Sequence, residues 1–267
     1  MRSDFSVLNW RVDESIDERE LGRKYQSGEF NGLFLRMGGS ARLDSLDFLS
    51  SLPELKYLEI EGRVADDSQA FGIAGLRELV LLTRGQVAIP AVQNASLAAL
   101  AVDDRAGAID LAGFPALARL TLWSSGRSDL GFLRSAPWIS SFKLEGLGQI
   151  VDLCGLENCA KLDDLEILDA RVESLAPLRG LQYLRRCWLI GGGESIQPEP
   201  LDFNAVSALN NLEELRVTYG GEVRSVAPLL RMTSLRDLRL RGTRVVAGDS
   251  GLLSELPDSV RIVGPEE

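Results

Sequence analysis

Residues 162–184 read Leu162-Asp-Asp-Leu165-Glu-Ile167-Leu-Asp-Ala-Arg-Val-Glu-Ser-Leu175-Ala-Pro-Leu178-Arg-Gly-Leu181-Gln-Tyr-Leu184, and two periodicities meet within them. The first part, Leu162-x-x-Leu165-x-Ile167, closes in strict alternation, the period of a short strand with one buried face. The second part places Leu175, Leu178, Leu181 and Leu184 three apart. That spacing fits neither strand nor α-helix. It fits 3₁₀ or polyproline-like turns, in which i and i+3 eclipse on one side. Leu184 then opens the next copy of the first part, Leu184-x-x-Cys187-x-Leu189. A return path of about 15 residues between successive strands requires those strands to be parallel.

The strand motif recurs along almost the whole chain. Copies begin at Phe30, Leu55, Leu76, Leu97, Leu117, Ile139, Leu162, Leu184, Leu212 and Leu235, with a degenerate last copy at Pro257. The triplet spacing also recurs, at Leu46, Leu49, Leu52 and Leu55 and at Val226, Leu229, Met232 and Leu235. Pro53, Pro115, Pro137, Pro177 and Pro228 fall in return segments, where a regular helix would resist them. Starts lie 20 to 28 residues apart, and the longest interval contains the insertion Gly191-Gly-Gly-Glu-Ser-Ile-Gln-Pro-Glu-Pro200. That run lacks the Gly-Lys-Ser/Thr ending and helix start of a phosphate loop, so it reads as a plain loop.

Over residues 30 to 263 this pattern closely resembles the leucine-rich repeat family, whose period and motif it shares. Segments such as Val172–Leu184 look like the 22-residue repeats of bacterial internalins and of the phosphatase-regulator type. The resemblance implies an α/β-type repeat solenoid: a right-handed arc with one curved parallel β-sheet of about 11 strands on the concave side, and 3₁₀ or irregular convex segments. The family's loop-binding Asn column is missing here; it reads Gly38, Arg63, Arg84, Arg105, Ser125, Leu147, Ala170, Gly192, Gly220 and Thr243. Residues 1–29 read as an N-terminal cap, with Phe5–Val12 apolar and Asp13–Gln26 a short amphipathic helix facing Ile16, Leu21 and Tyr25 inward. Residues 30–256 hold the repeats, and residues 257–267 a degenerate last strand and tail.

Composition narrows the chemistry. The chain of 267 residues has no histidine, which removes Ser-His-Asp and Cys-His arrangements and His-bearing zinc sites. A net charge of −10 opposes general phosphate binding, so no nucleic-acid partner is expected. No stretch is long and apolar enough for a membrane span or signal peptide, and three cysteines fit free thiols; the expected compartment is the cytoplasm. Arginine outnumbers lysine 25 to 4, an association with GC-rich bacterial genomes. No cofactor or metal site is expected. Cys159 and Cys187 fall in apolar columns and read as core, while Cys154 has no base beside it.

Positions between the ladder residues face outward in columns about 4.8 Å apart. Middle repeats place Asp103, Asp104, Glu145, Asp163, Asp164, Glu166 and Asp169 there; later repeats place Arg185, Arg186, Arg216, Arg236, Arg239, Arg241 and Arg261, with Glu213, Glu214 and Asp237 interspersed. Such charges either contact a partner or pair across neighbouring strands. Large apolar groups stand among them: Leu168, Trp188, Ile190 and Tyr219 beside the insertion, Trp123 earlier, and Phe34, Tyr57, Val80 and Leu82 towards the N-terminus. Aromatics beside arginines have the composition of binding hot spots, unless the insertion buries Trp188 and Ile190 as a satellite core. The expected partner-binding residues are Trp123, Leu168, Arg186, Trp188, Ile190, Arg216, Tyr219, Arg239 and Arg241. The expected function is therefore a non-catalytic module that docks a protein, one with a basic surface given the acidity of the chain. A bacterial immunity protein masking a toxin is one form of that function. A carboxylate-based enzyme using Asp103/Asp104 or Asp164/Glu166 is the competing class, disfavoured because open-surface carboxylates lack the enclosure that separates their roles.

Overall fold

A computed structural model describes residues 5–83, 88–105, 109–192, 199–218 and 221–265, and the chain divides into two units, Met1–Trp123 and Ser124–Glu267. In the first unit, six parallel strands follow one another: β1 (Val7–Val12), β2 (Gly32–Met37), β3 (Tyr57–Glu61), β4 (Glu78–Leu82), β5 (Ala99–Asp103) and β6 (Arg119–Ser125, whose last two residues cross into the second unit). In the second, β7 (Ser141–Gly146), β8 (Asp164–Leu168), β9 (Arg186–Ile190), β10 (Glu214–Thr218), β11 (Asp237–Arg239) and β12 (Arg261–Val263) pair in chain order, again parallel. All eleven motif copies form sheet strands. The twelfth strand is β1, which lies in the segment read from the sequence as a cap.

The register shows what the ladder residues do. Phe142, Leu165, Cys187, Leu215 and Leu238 are partners across β7 to β11, and all are fully buried. Their counterparts in the first unit, Leu33, Leu58, Leu79, Leu100 and Leu120, lie in register across β2 to β6 and are equally buried. Each apolar side chain thus packs on the equivalent one in the next coil, and the sum of these contacts is the core.

Spacing of three in the return paths is a hydrogen-bonding pattern. Leu49 N–H donates to Leu46, Leu52 to Leu49 and Leu55 to Leu52, at 2.9, 2.9 and 3.2 Å. The same chain runs Leu175–Leu178–Leu181–Leu184, at 2.9 to 3.0 Å. Short 3₁₀ turns mark many of these paths, among them Asp47–Ser51, Ala176–Leu178 and Ala227–Arg231. Each turn carries its leucines to one side while satisfying the backbone locally.

The helix α1 (Glu18–Gln26) is shorter at its start than the sequence reading. Asp17 caps it, accepting from the Glu20 N–H at 2.9 Å, so residues 13–16 stay outside. Gly28, at φ +76°, ends it in the left-handed turn that glycine adopts most readily. Leu21 is buried, and Tyr25 and Ile16 are half-buried.

Without the Asn column, other groups tie down the loops. Asn94, buried off-column, donates to the Phe71 and Ile73 carbonyls at 3.2 and 2.9 Å; Gln149 donates to the Ser125 and Arg127 carbonyls; Thr243 donates to the Val217 carbonyl at 2.6 Å. At Arg105 the column holds a buried ion pair. Its two terminal nitrogens each lie 2.6 Å from an oxygen of the wholly buried Asp67, which also accepts from the Thr83 hydroxyl at 2.5 Å. Among the family-column positions, Arg84 and Gly220 lie outside the described residues.

Removing one partner of such a pair strands the other charge. Arg105→Met is therefore expected to lower unfolding stability by about 3–5 kcal/mol in urea titration. Asp67→Leu/Arg105→Met should recover much of that loss, because no buried charge is then left alone.

Candidate functional site

The richest outward surface of the second unit lies on β7 to β12. Its register sets up three columns. The first runs Ser141, Asp164, Arg186, Glu214, Asp237 and Arg261; the second runs Lys143, Glu166, Trp188, Arg216, Arg239 and Val263; the third runs Glu145, Leu168, Ile190 and Thr218. At the strand entrances, backbone hydrogen bonds link Asp163, Arg185, Glu213 and Arg236 in a fourth. Alternation puts the residues of the three columns opposite the buried ladder, while those of the fourth precede the strands, with Asp163, Arg185 and Arg236 exposed.

Trp188 sits at the centre. The Arg216 guanidinium lies 3.8 Å from its ring centroid and that of Arg186 4.9 Å, both within cation–π range. Its indole N–H donates to Glu214 at 3.2 Å. The charged neighbours are paired in turn: Arg186 with Asp164 and, at 3.8 Å, Glu166; Arg216 with Glu214 at 3.4 Å and Asp237 at 3.0 Å; Arg185 with Glu213 at 2.9 Å. Leu168 and Ile190 flank the ring on the third column, half-buried.

Asp237 is a hub. Arg216, Arg239 and Arg261 all contact its carboxylate at 3.0 to 3.2 Å. Burial pushes its pKa up, but the hydrogen bonds from Arg261, Arg239 and Arg216 outweigh burial together and hold it below the usual carboxylate value. The hydrogen bond to Asp164 raises the Arg186 guanidinium further, against the opposing effect of burial.

The expected site residues are therefore partly gathered. Leu168, Arg186, Trp188, Ile190, Arg216 and Arg239 share this face; Arg241 is exposed just beyond β11. Trp123 belongs to the first unit, half-buried at the end of the β5–β6 pairing beside Asp103, and Tyr219 lies outside the described residues. Residues 193–198 of the insertion also lie outside them, so a satellite core under that loop is not described.

Two apolar positions differ from the sequence reading. Phe34 and Tyr57, expected to be exposed, retain only 9 % and 4 % of their accessibility. Gly32 precedes Phe34 on its strand and pairs with Tyr57; a Cβ there would lie 3.0 Å from Val7 and 3.1 Å from Tyr57. The space it leaves is used by Phe5, whose ring centroid is 5.6 Å from that of Tyr57, while the Arg36 guanidinium covers Phe34 at 5.2 Å. The sequence signal for this covering was a glycine at an outward strand position next to Phe5–Val12.

The cysteines are chemically quiet. Burial pushes the Cys159 thiol up to about 11 and the Cys187 thiol up to about 12, and the hydrogen bond to Asp152 raises exposed Cys154. Among the described residues, no group of three or more His, Cys, Asp or Glu is arranged to hold a metal ion, and no helix is long and apolar enough to cross a membrane.

The described geometry matches known folds. An internalin from Listeria monocytogenes superposes with a TM-score of 0.71 at 18 % identity, over 92 % of this chain and 72 % of that one. This chain has the leucine-rich repeat fold. A leucine-rich repeat protein from Leptospira interrogans gives a TM-score of 0.58 at 13 % identity, over 97 % and 72 % of the two chains. The leucine-rich repeat ectodomain of a plant membrane receptor kinase from Arabidopsis thaliana, solved in complex with CASPARIAN STRIP INTEGRITY FACTOR 2, gives 0.62 at 16 % identity, over 97 % of this chain and 32 % of that one. No protein-family model and no curated protein matches the sequence.

The hub has a pH signature. A carboxyl whose folded pKa lies below its unfolded value contributes stability above that unfolded value and loses it as pH falls through the folded one. Asp237→Asn should lower stability by about 2 kcal/mol at pH 7, as expected for hydrogen bonds to a charged group. Below about pH 4 the variant's stability should fall less steeply than that of the unaltered protein in denaturant titrations across pH.

Proposed function

We propose that the chain is a non-catalytic protein-binding module and that the outward face of β8 to β11 is its recognition surface. One observation carries this reading: Trp188 is half-exposed yet fixed, with the Arg186 and Arg216 guanidinium groups against its ring and Glu214 on its N–H. An aromatic anchor already held in one geometry loses little side-chain freedom on binding, and Trp with Arg is the commonest hot-spot composition. Leu168 and Ile190 extend the apolar contact on one side of it. The leucine-rich repeat fold supports the reading, since the Arabidopsis ectodomain with that fold was solved with a bound partner.

The enzyme reading has less support. Asp164 and Glu166 stand on an open strand face and are engaged by Arg186 and Lys143, which leaves neither carboxylate set apart as an acid. Masking of a toxin by an immunity protein and restraint of an endogenous enzyme are both forms of the proposed activity, and the captured partner distinguishes them.

Affinity capture from the native host tests the proposal. The unaltered protein should retain a specific partner, and Trp188→Ala should weaken that retention by about 30-fold, the effect of losing a hot-spot residue. Trp188→Ala/Arg239→Ala should weaken it further. Equal recovery by all three, with folding checked by circular dichroism, removes this face as the recognition surface; turnover of a small substrate would restore the enzyme class.

A further inference from the structure

We infer that the partner segment seated on this face is itself divided by charge, basic where it meets β7 and β8 and acidic where it meets β11 and β12, with an apolar side chain between; the inference rests on the proposed recognition surface. Ion pairing neutralises the centre but not the two ends. In the centre Arg185 is matched by Glu213 and Arg186 by Asp164 from neighbouring coils, and Arg216 by Glu214 two residues before it on its own strand. On the β7–β8 side, Glu145, Asp163 and Asp169 form no ion pair among the described residues, and Lys143 on β7 is engaged by Glu166 at 3.8 Å.

The opposite end is inverted. Asp237 faces Arg239 and Arg261, and it also meets Arg216, whose charge Glu214 matches in the centre. Exposed Arg236 forms no ion pair among the described residues. The surplus charge is therefore negative at one edge and positive at the other, with Trp188, Leu168 and Ile190 between them. A uniformly basic partner would meet repulsion at β11–β12, and a uniformly acidic one at β7–β8; only a segment of divided charge is attracted at both. Six strands about 4.8 Å apart span about 24 Å, the length of an extended segment of roughly eight residues laid across them.

Three synthetic octapeptides test this at low salt. One carries three lysines, then leucine and phenylalanine, then three glutamates; the second is the same sequence in reverse order; the third has the same composition with charges alternating around the same apolar pair. Binding is followed by backbone amide chemical shifts. The expected result is that one of the two block peptides binds about fivefold or more tightly than the alternating one. Its lysine end should shift amides of residues 143–145 and 163–169, and its glutamate end those of 236–241. Glu145→Lys/Asp163→Lys and Arg236→Glu/Arg261→Gln should each abolish the advantage without altering the circular dichroism spectrum.

Equal binding of all three peptides, still weakened by Trp188→Ala, overturns the divided-charge inference and leaves the recognition surface standing. Peptide binding that is absent, or indifferent to Trp188→Ala, overturns the inference; the host-capture experiment above then decides separately whether the surface stands. Sedimentation should show no self-association that depends on Trp188. A dimer abolished by Trp188→Ala overturns the inference of a separate partner, because a face of divided charge also complements a second copy turned by a two-fold axis.

Discussion

The constraint on which the structure depends is the stacking of one aliphatic side chain on its equivalent in the next coil. A single coil of about 22 residues cannot bury its own apolar face, so it is stable only as a neighbour of another. Phe142, Leu165, Cys187, Leu215 and Leu238 show this directly: each is completely buried because residues in register on adjacent strands cover it. The inward positions are thereby committed to structure. What varies from coil to coil, and so what is available for recognition, is the outward set.

Commitment of the interior also explains how the chain manages without the family's Asn column. A loop carbonyl excluded from water needs a donor, but not a particular donor at a particular position. Asn94 and Gln149 supply theirs from off-column, Thr243 from within the column, and the Arg105 site substitutes a charge pair whose desolvation is offset by two short contacts to Asp67. The same column is thus solved by different chemistry in different coils.

On the outward face of the second unit, the two ways of reading the charges turn out to be compatible. Most central charges pair across strands, as the simplest view of a polar sheet requires. That pairing holds Trp188 in place, because Arg186 and Arg216 are each anchored by a carboxylate while lying against the indole. Structural ion pairs and a prepared aromatic surface are here one arrangement.

The sequence by itself determined the repeat, the strand positions, the parallel pairing and the 3₁₀ return turns, because each follows from a short-range periodicity: two in the strands, three in the turns. It also determined that Cys159 and Cys187 are core. Tertiary structure alone decided the rest. That Val7–Val12 adds a strand depends on its pairing with Gly32–Met37, a contact without a motif. That Phe34 and Tyr57 are covered depends on a missing side chain at Gly32 and a ring brought from Phe5. That Arg216 joins Arg186 against Trp188, and that Arg216 and Arg261 join Arg239 on Asp237, depends on which residues the register sets side by side, 21 to 28 positions apart in the chain. Periodicity names the column a residue occupies. Only the register of neighbouring coils, fixed by loops of unequal length, names its partners.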